Sequence, residues 1–358
     1  MSHKILITGA AGYVGFMLVE QFSKRSDVEK IIALDKEVMP ESFKKDPKIL
    51  YIQANTSDEW EAKVAQQAPD IIVHAAWHIR DIYGNSSKQW KWNIAGSDKV
   101  FDFAFSQHSV QRLVYFSTVA SYAPYPENEI SHVFTEESPF RSSDYRYAEE
   151  KRISEMHLEE KYKVATAKRK DISVFVVRPA AISGPRGRFS RIRFGLQSAL
   201  SGQLSGSFVY RIVTLLTSFV PATPKWARQF VHEDDVVDIV ELLAFDAPQS
   251  GYDVFNLCPP GEPVLAKDMA QAVGKRILPM HPLLIRFAFF LMWHLSLGKI
   301  PTTRGAWKGY SYPIIVDGSK ITKKYGYTYR MASKDAFVYT DGRYEGAIPR
   351  MYLKRKTA

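Results

Sequence analysis

Three closely spaced glycines near the start of the chain most strongly restrict how the N-terminal region can fold. The apolar residues 5–7 predict a short buried strand, and Gly9-Ala10-Ala11-Gly12-Tyr13-Val14-Gly15 follows it at once and opens a helix. The first glycine permits a sharp turn, the second lets the backbone approach a pyrophosphate, and the third lets the helix pack closely on the strand. Because the N–H groups at a helix N-terminus favour phosphate, the segment predicts a dinucleotide site.

The rest of the first half repeats this order of strand and helix. Short apolar runs alternate with longer stretches whose apolar residues recur at helical spacing. This order predicts an α/β fold with a doubly wound, mostly parallel sheet, the Rossmann fold. The predicted strands are residues 4–8, 30–34, 49–53, 71–75, 112–117 and 173–178, and the predicted helices are residues 15–25, 59–67, 90–106 and 145–162.

The alternation is interrupted after Gly184-Pro185 by a basic and aromatic segment, 186–194, and by an apolar stretch, 208–220. A further strand, helix and strand are predicted at residues 229–232, 234–245 and 253–257. We therefore predict two domains. They are an NAD-binding Rossmann domain made of residues 1–184 with 229–258, and a smaller, mainly helical substrate-binding lobe made of residues 185–228 with 259–358.

Residues 283–297 are the least typical feature of the C-terminal half. They are nearly all apolar, are interrupted by Arg286 and His294, and lie between Pro282 and Gly298. A helix needs about 20 apolar residues to span a bilayer, and this segment is shorter. It therefore predicts a buried or interfacial helix and leaves a peripheral membrane contact open.

Composition and charge narrow the compartment and the partners. With 46% hydrophobic and 24% charged residues, the chain has the composition of a folded protein, and its one cysteine, Cys258, cannot form an internal disulfide. We therefore expect the cytoplasm. The net charge of +10 would suit nucleic acid or an anionic membrane. Because the Lys and Arg residues are spread along the chain without a zinc-finger or RNA-binding signature, we expect no nucleic-acid partner.

Asp35 lies at the end of the second predicted strand, 20 residues beyond Gly15. A carboxylate at this place accepts hydrogen bonds from the adenosine ribose hydroxyls and repels the 2′-phosphate that distinguishes NADP. Lys36 opposes this preference, because a neighbouring cation can accommodate that phosphate. The balance predicts NAD as the cofactor, with NADP as the less favoured alternative.

Tyr147 and Lys151 are four residues apart on a predicted helix, so their side chains lie on one face. A phenol with a pKa of about 10 is a poor base at neutral pH, and a nearby ammonium favours the phenolate. Ser117 and Thr118 lie at the end of a predicted strand, where open α/β sheets place ligand-binding groups. A Tyr-x-x-x-Lys pair is common on helices. Here it follows a dinucleotide motif and a Ser-Thr strand, and it therefore predicts hydride transfer in which Tyr147 moves the hydroxyl proton.

Taken in order, these motifs resemble those of the extended short-chain dehydrogenases/reductases, the NAD-dependent epimerase/dehydratase family. The resemblance covers roughly residues 4–340 and implies an NAD(P)-dependent oxidoreductase or epimerase. The segments that carry it are the Gly-x-x-Gly-x-x-Gly turn at 9–15, His74-Ala75-Ala76, Asn93, Ser117-Thr118 with Tyr122, Tyr147-Ala-Glu-Glu-Lys151, Arg178-Pro179 with Gly184-Pro185, 230–235, 255–257 and 320–326.

The resemblance also implies roles for individual residues. Lys151 would hold the nicotinamide ribose, and Asn93 would support the active site. Asn55 stands where an aspartate usually meets the adenine, and its amide oxygen could accept that hydrogen bond. Two helices flanking the sheet would form a homodimer. The expected catalytic residues are Tyr147, Lys151, Thr118 and Ser117, and the expected cofactor-binding residues are Gly9, Gly12, Tyr13, Val14, Gly15, Asp35, Lys36, Asn55, Ala75, Ala76, Asn93, Tyr147, Lys151, Pro179 and Ile182.

The segments outside the motifs bear on the substrate. Val119-Ala120 follow Thr118, whereas sugar dehydratases of the family carry Asp-Glu there, so dehydration is disfavoured. The apolar stretches 209–220 and 283–297 favour a hydrophobic alcohol or ketone, such as a steroid, isoprenoid or acyl compound.

Two other functions remain as alternatives. Arg186 and Arg228 could bind the diphosphate of a nucleotide sugar, as an epimerase requires. A catalytically silent NAD-sensing or scaffold protein is disfavoured, because such proteins usually lack the tyrosine or the lysine. No metal is expected, since His232 with the carboxylates at 234 and 235 gives an incomplete ligand set.

Overall fold

The computed structural model describes residues 2–167, 171–187, 219–248, 251–272 and 274–347. The chain divides into two compact units. The first unit comprises Met1–Thr118, Glu150–Arg178 and Val237–Phe255, and the second comprises Val119–Glu149, Pro179–Val236 and Asn256–Ala358. The predicted domain boundaries stay a prediction. Of the predicted basic and apolar segments, residues 188–194 and 208–218 lie outside the described residues.

Seven strands form the sheet around which the first unit is built. They are β1 (His3–Thr8), β2 (Val28–Asp35), β3 (Ile49–Gln53), β4 (Ile71–His74), β5 (Arg112–Phe116), β6 (Ser173–Pro179) and β7 (Tyr252–Leu257). Their order is β7-β6-β5-β4-β1-β2-β3, and β1 to β6 pair in parallel. The predicted doubly wound α/β fold is confirmed, as continuous apolar strands require a sheet that is covered on both faces.

The order of the strands positions the candidate site. From β1 the chain passes outward through β2 to β3, and it then places β4 on the other side of β1. The connections therefore diverge at the carboxyl ends of β1 and β4. Open parallel sheets form a crevice at such a point, and ligands bind there.

Helices connect and cover the strands. The principal ones are α1 (Tyr13–Phe22), α2 (Glu61–Ala65), α3 (Ser86–Trp90), α4 (Gly96–Ser106), α5 (Arg146–Thr166), α6 (Glu233–Glu241), α7 (Ala266–Ala272), α8 (Pro282–Leu295), α9 (Ala306–Ser311), α10 (Lys320–Tyr325) and α11 (Ser333–Val338). The single helix predicted over 90–106 is instead divided, because a π-helical turn, Lys91–Ala95, lies between α3 and α4.

Large apolar side chains on α4 and α5 pack against the sheet. Phe101 of α4 and Leu158 of α5 are fully buried in one cluster with Leu6, Leu113 and Tyr115 of the strands. Burial of each such side chain stabilises the fold by about 1.5–3 kcal/mol. This packing gives the carboxyl ends of the strands a rigid base.

Short strand pairs organise the second unit. Phe219–Ala222 pairs with Arg276–Pro279, Ala227–Arg228 with Val264–Leu265, Phe230–His232 with Ala181–Ser183, and Val133–Phe134 with Ile315–Val316. A small core that includes Trp226, Phe230 and Val264 is buried there.

Candidate active site

The turn after β1 and the start of α1 require glycine at positions 9 and 15. Gly9 has a φ of +72°, and its N–H donates to the Leu34 carbonyl at 2.9 Å. A Cβ at Gly9 would lie 2.6 Å from the Ala76 nitrogen, and a Cβ at Gly15 would lie 2.0 Å from the Gly9 oxygen. Real side chains do not approach backbone atoms this closely. The turn is therefore pressed against the loop that follows β4, and the first helical turn of α1 is pressed against the turn.

A cavity of about 250 Å³ opens at the carboxyl ends of β1 and β4. Eight of the predicted cofactor-binding residues line it, namely Gly9, Gly12, Asp35, Lys36, Asn55, Ala75, Ala76 and Asn93. It lies where strand order predicts a ligand crevice. Among the predicted residues that the structure describes, Tyr13, Val14, Gly15, Tyr147, Lys151, Pro179 and Ile182 do not line this cavity.

Charge at the end of β2 favours a dinucleotide without a 2′-phosphate. The Asp35 carboxylate accepts from the main-chain nitrogens of Ala11 and Glu37, both at 2.9 Å, and each oxygen retains a further lone pair for a ribose hydroxyl. The Lys36 ammonium forms an ion pair with Glu37. Because Lys36 is already paired and two carboxylates line the cavity beside it, an additional phosphate would meet net negative charge.

Asn55 differs in detail from its predicted role. Its amide oxygen accepts hydrogen bonds from the Ser57 nitrogen at 3.0 Å and from the Ser57 hydroxyl at 3.1 Å. Both lone pairs of that oxygen are thus occupied locally. A hydrogen bond to adenine would have to come from the Asn55 amide nitrogen instead.

Asn93 holds the loop after β4 in place. Its amide oxygen accepts from the His78 nitrogen at 2.8 Å, and its amide nitrogen donates to the His78 carbonyl at 3.0 Å and to the Glu150 carboxylate at 2.7 Å. These bonds bring the π-helical turn Lys91–Ala95 against the loop, as is common for π-turns at functional sites.

His74 is a structural residue beneath the cavity. Its ring nitrogens bond the Thr8 hydroxyl at 2.6 Å and the Ser97 hydroxyl at 2.8 Å. Complete burial, together with the positive charge of Lys151, lowers the pKa of His74 to about 3. The imidazole is therefore neutral at physiological pH and ties β1 to β4 and α4.

Lys151 is a buried lysine of the first unit. It lies in the second turn of α5, is buried, and donates to the Phe116 carbonyl at the end of β5. Its ammonium also lies 3.7 Å from the centre of the Trp77 ring and 4.9 Å from that of Tyr115. Burial lowers the pKa of Lys151 well below its usual value, and the charges of Glu155 and Glu150 oppose that shift.

Two buried donors near Lys151 have no hydrogen-bond partner among the described residues. They are the Ser117 hydroxyl and the Trp77 indole N–H. Ser117 and the buried Thr118 follow the carbonyl that Lys151 contacts. Buried polar groups are nearly always hydrogen-bonded in folded proteins. The unpaired donors therefore fit a polar ligand at this strand end.

Tyr147 belongs to the second unit and is half-buried in the first turn of α5, one helical turn before Lys151. Its ring centre lies 5.8 Å from that of Tyr145. The i, i+4 spacing predicted from the sequence is thus present on a continuous helix, and such spacing places two side chains on one helix face.

Two of the predicted cofactor-binding residues and both predicted substrate-binding residues also lie in the second unit. Pro179 ends β6, and Ile182 pairs with Val231 in a short parallel strand pair. The main-chain nitrogen of Arg186 donates to the Glu233 carboxylate at 2.9 Å. Arg228 is exposed and donates to the Gly309 carbonyl at 2.9 Å.

The acidic start of α6 is held by structural hydrogen bonds. The Asp234 nitrogen donates to His232 Nδ1 at 3.2 Å, and the Asp235 carboxylate accepts from the Tyr327 hydroxyl at 2.7 Å and from the Arg330 nitrogen at 2.9 Å. Within the described ranges, no group of three or more His, Cys, Asp or Glu residues could hold a metal ion.

Residues 5–258 match the model of the NAD dependent epimerase/dehydratase family. The chain belongs to this family. It is therefore an enzyme, and the predicted family, enzyme class and NAD cofactor are confirmed.

Two proteins that are similar to the chain in sequence carry different names. An uncharacterised protein of Mycobacterium tuberculosis (strain H37Rv) is 24% identical over 343 residues, which cover 93% of this chain and 82% of that protein. A 3β-hydroxysteroid dehydrogenase/Δ5→4-isomerase of Vaccinia virus (strain Copenhagen) is 22% identical over 287 residues, which cover 76% of this chain and 78% of that protein.

A solved structure, that of UDP-glucuronic acid 4-epimerase from Bacillus cereus in complex with UDP-glucuronic acid and NAD, has a TM-score of 0.65 and is 16% identical. The match covers 93% of this chain and 96% of that one. At this level of identity the likeness shows the fold alone.

Several residues of the candidate active site were not predicted from the sequence. Trp77 covers Lys151, Trp92 lines the cavity, and Glu150 anchors Asn93. Trp77 directly follows the predicted Ala75-Ala76, and Glu150 directly precedes Lys151. Adjacency to a motif was the available signal, but the contacts themselves depend on how β4, β5 and α5 meet.

Proposed function

We propose that the protein is an NAD-dependent dehydrogenase that interconverts a secondary alcohol and a ketone on a hydrophobic substrate. The single observation that carries the redox chemistry is the buried side chain of Lys151 on the helix that bears Tyr147. NAD, when bound, accepts a hydride from the alcohol or, in its reduced form, returns one to the ketone. The cavity glycines and Asp35 would hold its pyrophosphate and adenosine ribose.

Tyr147 is the proposed acid-base group. During oxidation the substrate O–H bond breaks and its proton passes to the Tyr147 phenolate oxygen. The carbinol hydrogen would leave with the electron pair of its C–H bond, as a hydride for the nicotinamide, and the C=O bond of the ketone would form. The ammonium of Lys151 favours the phenolate, and its low exposure strengthens that attraction because less water screens it. Glu150 and Glu155 support the charged form of Lys151 against the cost of burial.

Ser117 and Thr118 are proposed to orient the substrate oxygen. The buried Ser117 hydroxyl, without a partner among the described residues, is available to donate to that oxygen. Val119-Ala120 supply no carboxyl group for removing water, which supports simple oxidoreduction over dehydration.

Two observations support a hydrophobic substrate. Helix α8 exposes a row of large apolar side chains, and a relative that is 22% identical is named as a hydroxysteroid dehydrogenase. A nucleotide-sugar epimerase is the second candidate. Arg228 favours it, because a guanidinium could bind a diphosphate.

A substrate panel distinguishes the two candidates. The full chain with NAD is incubated with 3-hydroxysteroids, isoprenoid alcohols, acyl alcohols and UDP-sugars, and NADH absorbance and sugar configuration are followed. We expect NADH to accumulate with a member of the apolar classes and no UDP-sugar to be inverted. Inversion of a UDP-sugar without net NADH, together with tight UDP-sugar binding, would overturn the hydrophobic assignment.

Two further proposals accompany this function. The first is that residues 1–184 with 229–258 bind NAD and that the remainder binds the substrate. The second is that two chains associate as a homodimer through helices that flank the sheet. Sedimentation velocity tests the second proposal, for which we expect twice the 40.8 kDa mass of the chain.

A further inference from the structure

Helix α8 exposes a face that is apolar except for His294, whose ring packs on Phe290 with the ring centres 4.4 Å apart. The side chains on this face recur three, four or seven residues apart, so they lie on one side of the helix. They are Leu283, Leu284, Phe287, Phe290, Leu291 and Leu295, whose exposed fractions are 57, 55, 60, 57, 39 and 82%. Monomeric proteins rarely expose large contiguous apolar patches without a binding role.

The other side of α8 is attached to its own unit. Ile285 is buried, the Phe289 ring lies 5.8 Å from Tyr310 of α9, and the Phe289 carbonyl accepts from the Thr302 hydroxyl at 2.9 Å. The orientation of the helix is therefore determined by packing, and its apolar face is directed outward.

The apolar face extends beyond the helix at both ends. Ile277 and Leu278 of the strand before α8 are 38 and 44% exposed, and Leu297 and Ile300 after it are 66 and 41% exposed. At about 1.5 Å per residue, the 14 residues of α8 span about 21 Å, less than the roughly 30 Å of a bilayer core. In the described part of the chain, no helix is long and apolar enough to cross a membrane.

The stretch of sequence that contains this face carries charge of one sign. Between Asp268 and Asp317 the sequence contains no Asp or Glu. The same interval contains Lys275, Arg276, Arg286, Lys299, Arg304 and Lys308. Of these, Lys308 forms an ion pair with Asp144, and Arg286 lies 5.8 Å from the Trp307 ring. An apolar face bordered by cations is complementary to anionic lipid headgroups above an acyl layer.

A second copy of the chain fits this face less well. A symmetric dimer across α8 would bring two copies of the same carboxylate-free, cationic interval together. Like charges opposed across an interface disfavour association, whereas phospholipid phosphates would neutralise them.

We propose that the face formed by α8 and its flanking residues docks on bilayers that contain anionic phospholipid, with the helix axis parallel to the membrane plane. This inference concerns attachment and does not rest on the proposed substrate class. Leucine and phenylalanine side chains enter the acyl boundary, while arginine and lysine contact the phosphates. The enzyme would thereby meet apolar compounds where they are concentrated.

Vesicle flotation of the full chain tests the proposal. The chain is expected to float with vesicles of equal parts phosphatidylcholine and phosphatidylglycerol, to float poorly with phosphatidylcholine alone, and to be released by high salt. Failure to bind the anionic vesicles would overturn the proposal, and it would leave the dehydrogenase assignment intact.

Paired variants localise the binding. Leu284→Gln with Leu291→Gln should weaken binding to anionic vesicles by about tenfold or more. Ile130→Gln with Val133→Gln is the matched control, because these aliphatic side chains of the same unit are 42 and 48% exposed. It should bind as the wild type does. Equal loss in both pairs, or loss in neither, would contradict the proposed face.

A charge variant and a hydrodynamic measurement complete the test. Arg276→Ser with Lys299→Ser should bind anionic vesicles about tenfold more weakly while leaving the apolar face unchanged. Sedimentation velocity without lipid checks the competing occupant. If the wild type is oligomeric and the Leu284→Gln, Leu291→Gln variant is monomeric, the face belongs to a second copy and the membrane proposal is wrong.

Discussion

The cofactor cavity of the first unit and the exposed face of α8 in the second unit place opposite demands on their residues. At the cavity, glycine backbones are in contact with the loop after β4, and polar groups such as Asn93 and His74 have hydrogen-bond partners. On the α8 face, large side chains such as Phe287 and Leu295 extend outward. A side-chain atom added at Gly9 or Gly15 in the first region would clash with the backbone, whereas the side chains of the second region extend into solvent.

This difference indicates a division of roles. A tightly packed polar cradle can hold one cofactor in one position, which hydride transfer requires. An exposed apolar face does not hold a ligand in one position. It instead determines whether the enzyme attaches to a membrane surface. Substitutions should therefore affect folding and NAD binding in the first region, and membrane attachment in the second.

The largest contrast is expected from replacing glycines by alanine. Gly9 and Gly84 have nearly the same φ, +72° and +70°, but a Cβ at Gly9 would meet Ala76 at 2.6 Å, whereas nothing lies within 4 Å of a Cβ at Gly84. Gly84→Ala should cost about 1–2 kcal/mol through backbone strain alone. Gly9→Ala should cost about 2–5 kcal/mol and lower NAD affinity by about a hundredfold.

Urea unfolding and calorimetric NAD titration of both glycine variants measure this contrast. Equal destabilisation of the two variants would show that the close approach of Gly9 to the loop after β4 is not required. The cofactor cavity would then not be the closely packed region that the comparison with the α8 face assumes.

A smaller effect is expected from pH. The pKa of His74 is about 3 in the folded chain, below its ordinary value of 6.5. Between these pH values the unfolded chain binds a proton at His74 that the folded chain does not. The contribution of His74 to the unfolding free energy is therefore fully present above pH 6.5 and is lost as the pH falls towards 3. The slope contributed is at most about 1.4 kcal/mol per pH unit. Replacing His74 with Asn should remove this contribution to the pH dependence of the unfolding free energy.

The control for this pH effect lies in the other region. Leu295 of α8 is 82% exposed and carries no titratable group. Leu295→Asn should leave the pH dependence of the unfolding free energy unchanged. A His74→Asn variant that keeps the wild-type slope would mean that His74 is charged in the folded protein.

The smallest effect is expected on the α8 face. Phe287 is 60% exposed and Phe101 of α4 is fully buried. Phe287→Ala should change the unfolding free energy by no more than about 0.5 kcal/mol, whereas Phe101→Ala should cost about 3–5 kcal/mol. Thermal unfolding of the pair checks this. Strong destabilisation by Phe287→Ala would mean that the face is covered within the chain.

Much of the fold could be predicted because the signals are local. The β3 strand was predicted at its observed bounds, 49–53, and the other sheet strands to within two residues at either end, since each is a short apolar run between polar segments. The division of the helix predicted over 90–106 could not be predicted. It depends on hydrogen bonds from Asn93 to residues distant in sequence.

The candidate site was predictable in part for the same reason. Gly9, Asp35 and Asn93 belong to motifs with characteristic spacing, and all three line the cavity. The contact of Trp77 with Lys151 has no such spacing, because it arises where β4 and α5 meet. The hydrogen bond from the Ser57 nitrogen to the Asn55 amide oxygen likewise has no sequence signal, because it depends on the conformation of the turn.

The central claim is that Tyr147 transfers the proton in an NAD-dependent oxidation. Tyr147→Phe removes the hydroxyl and little else, and Tyr162→Phe on the same helix is the matched control. With the substrate that the panel identifies, deuterated at its carbinol carbon, transfer of deuterium to NAD should fall by about a thousandfold in Tyr147→Phe. NAD affinity should be unchanged, and Tyr162→Phe should react normally. Transfer at the wild-type rate in Tyr147→Phe would contradict the account.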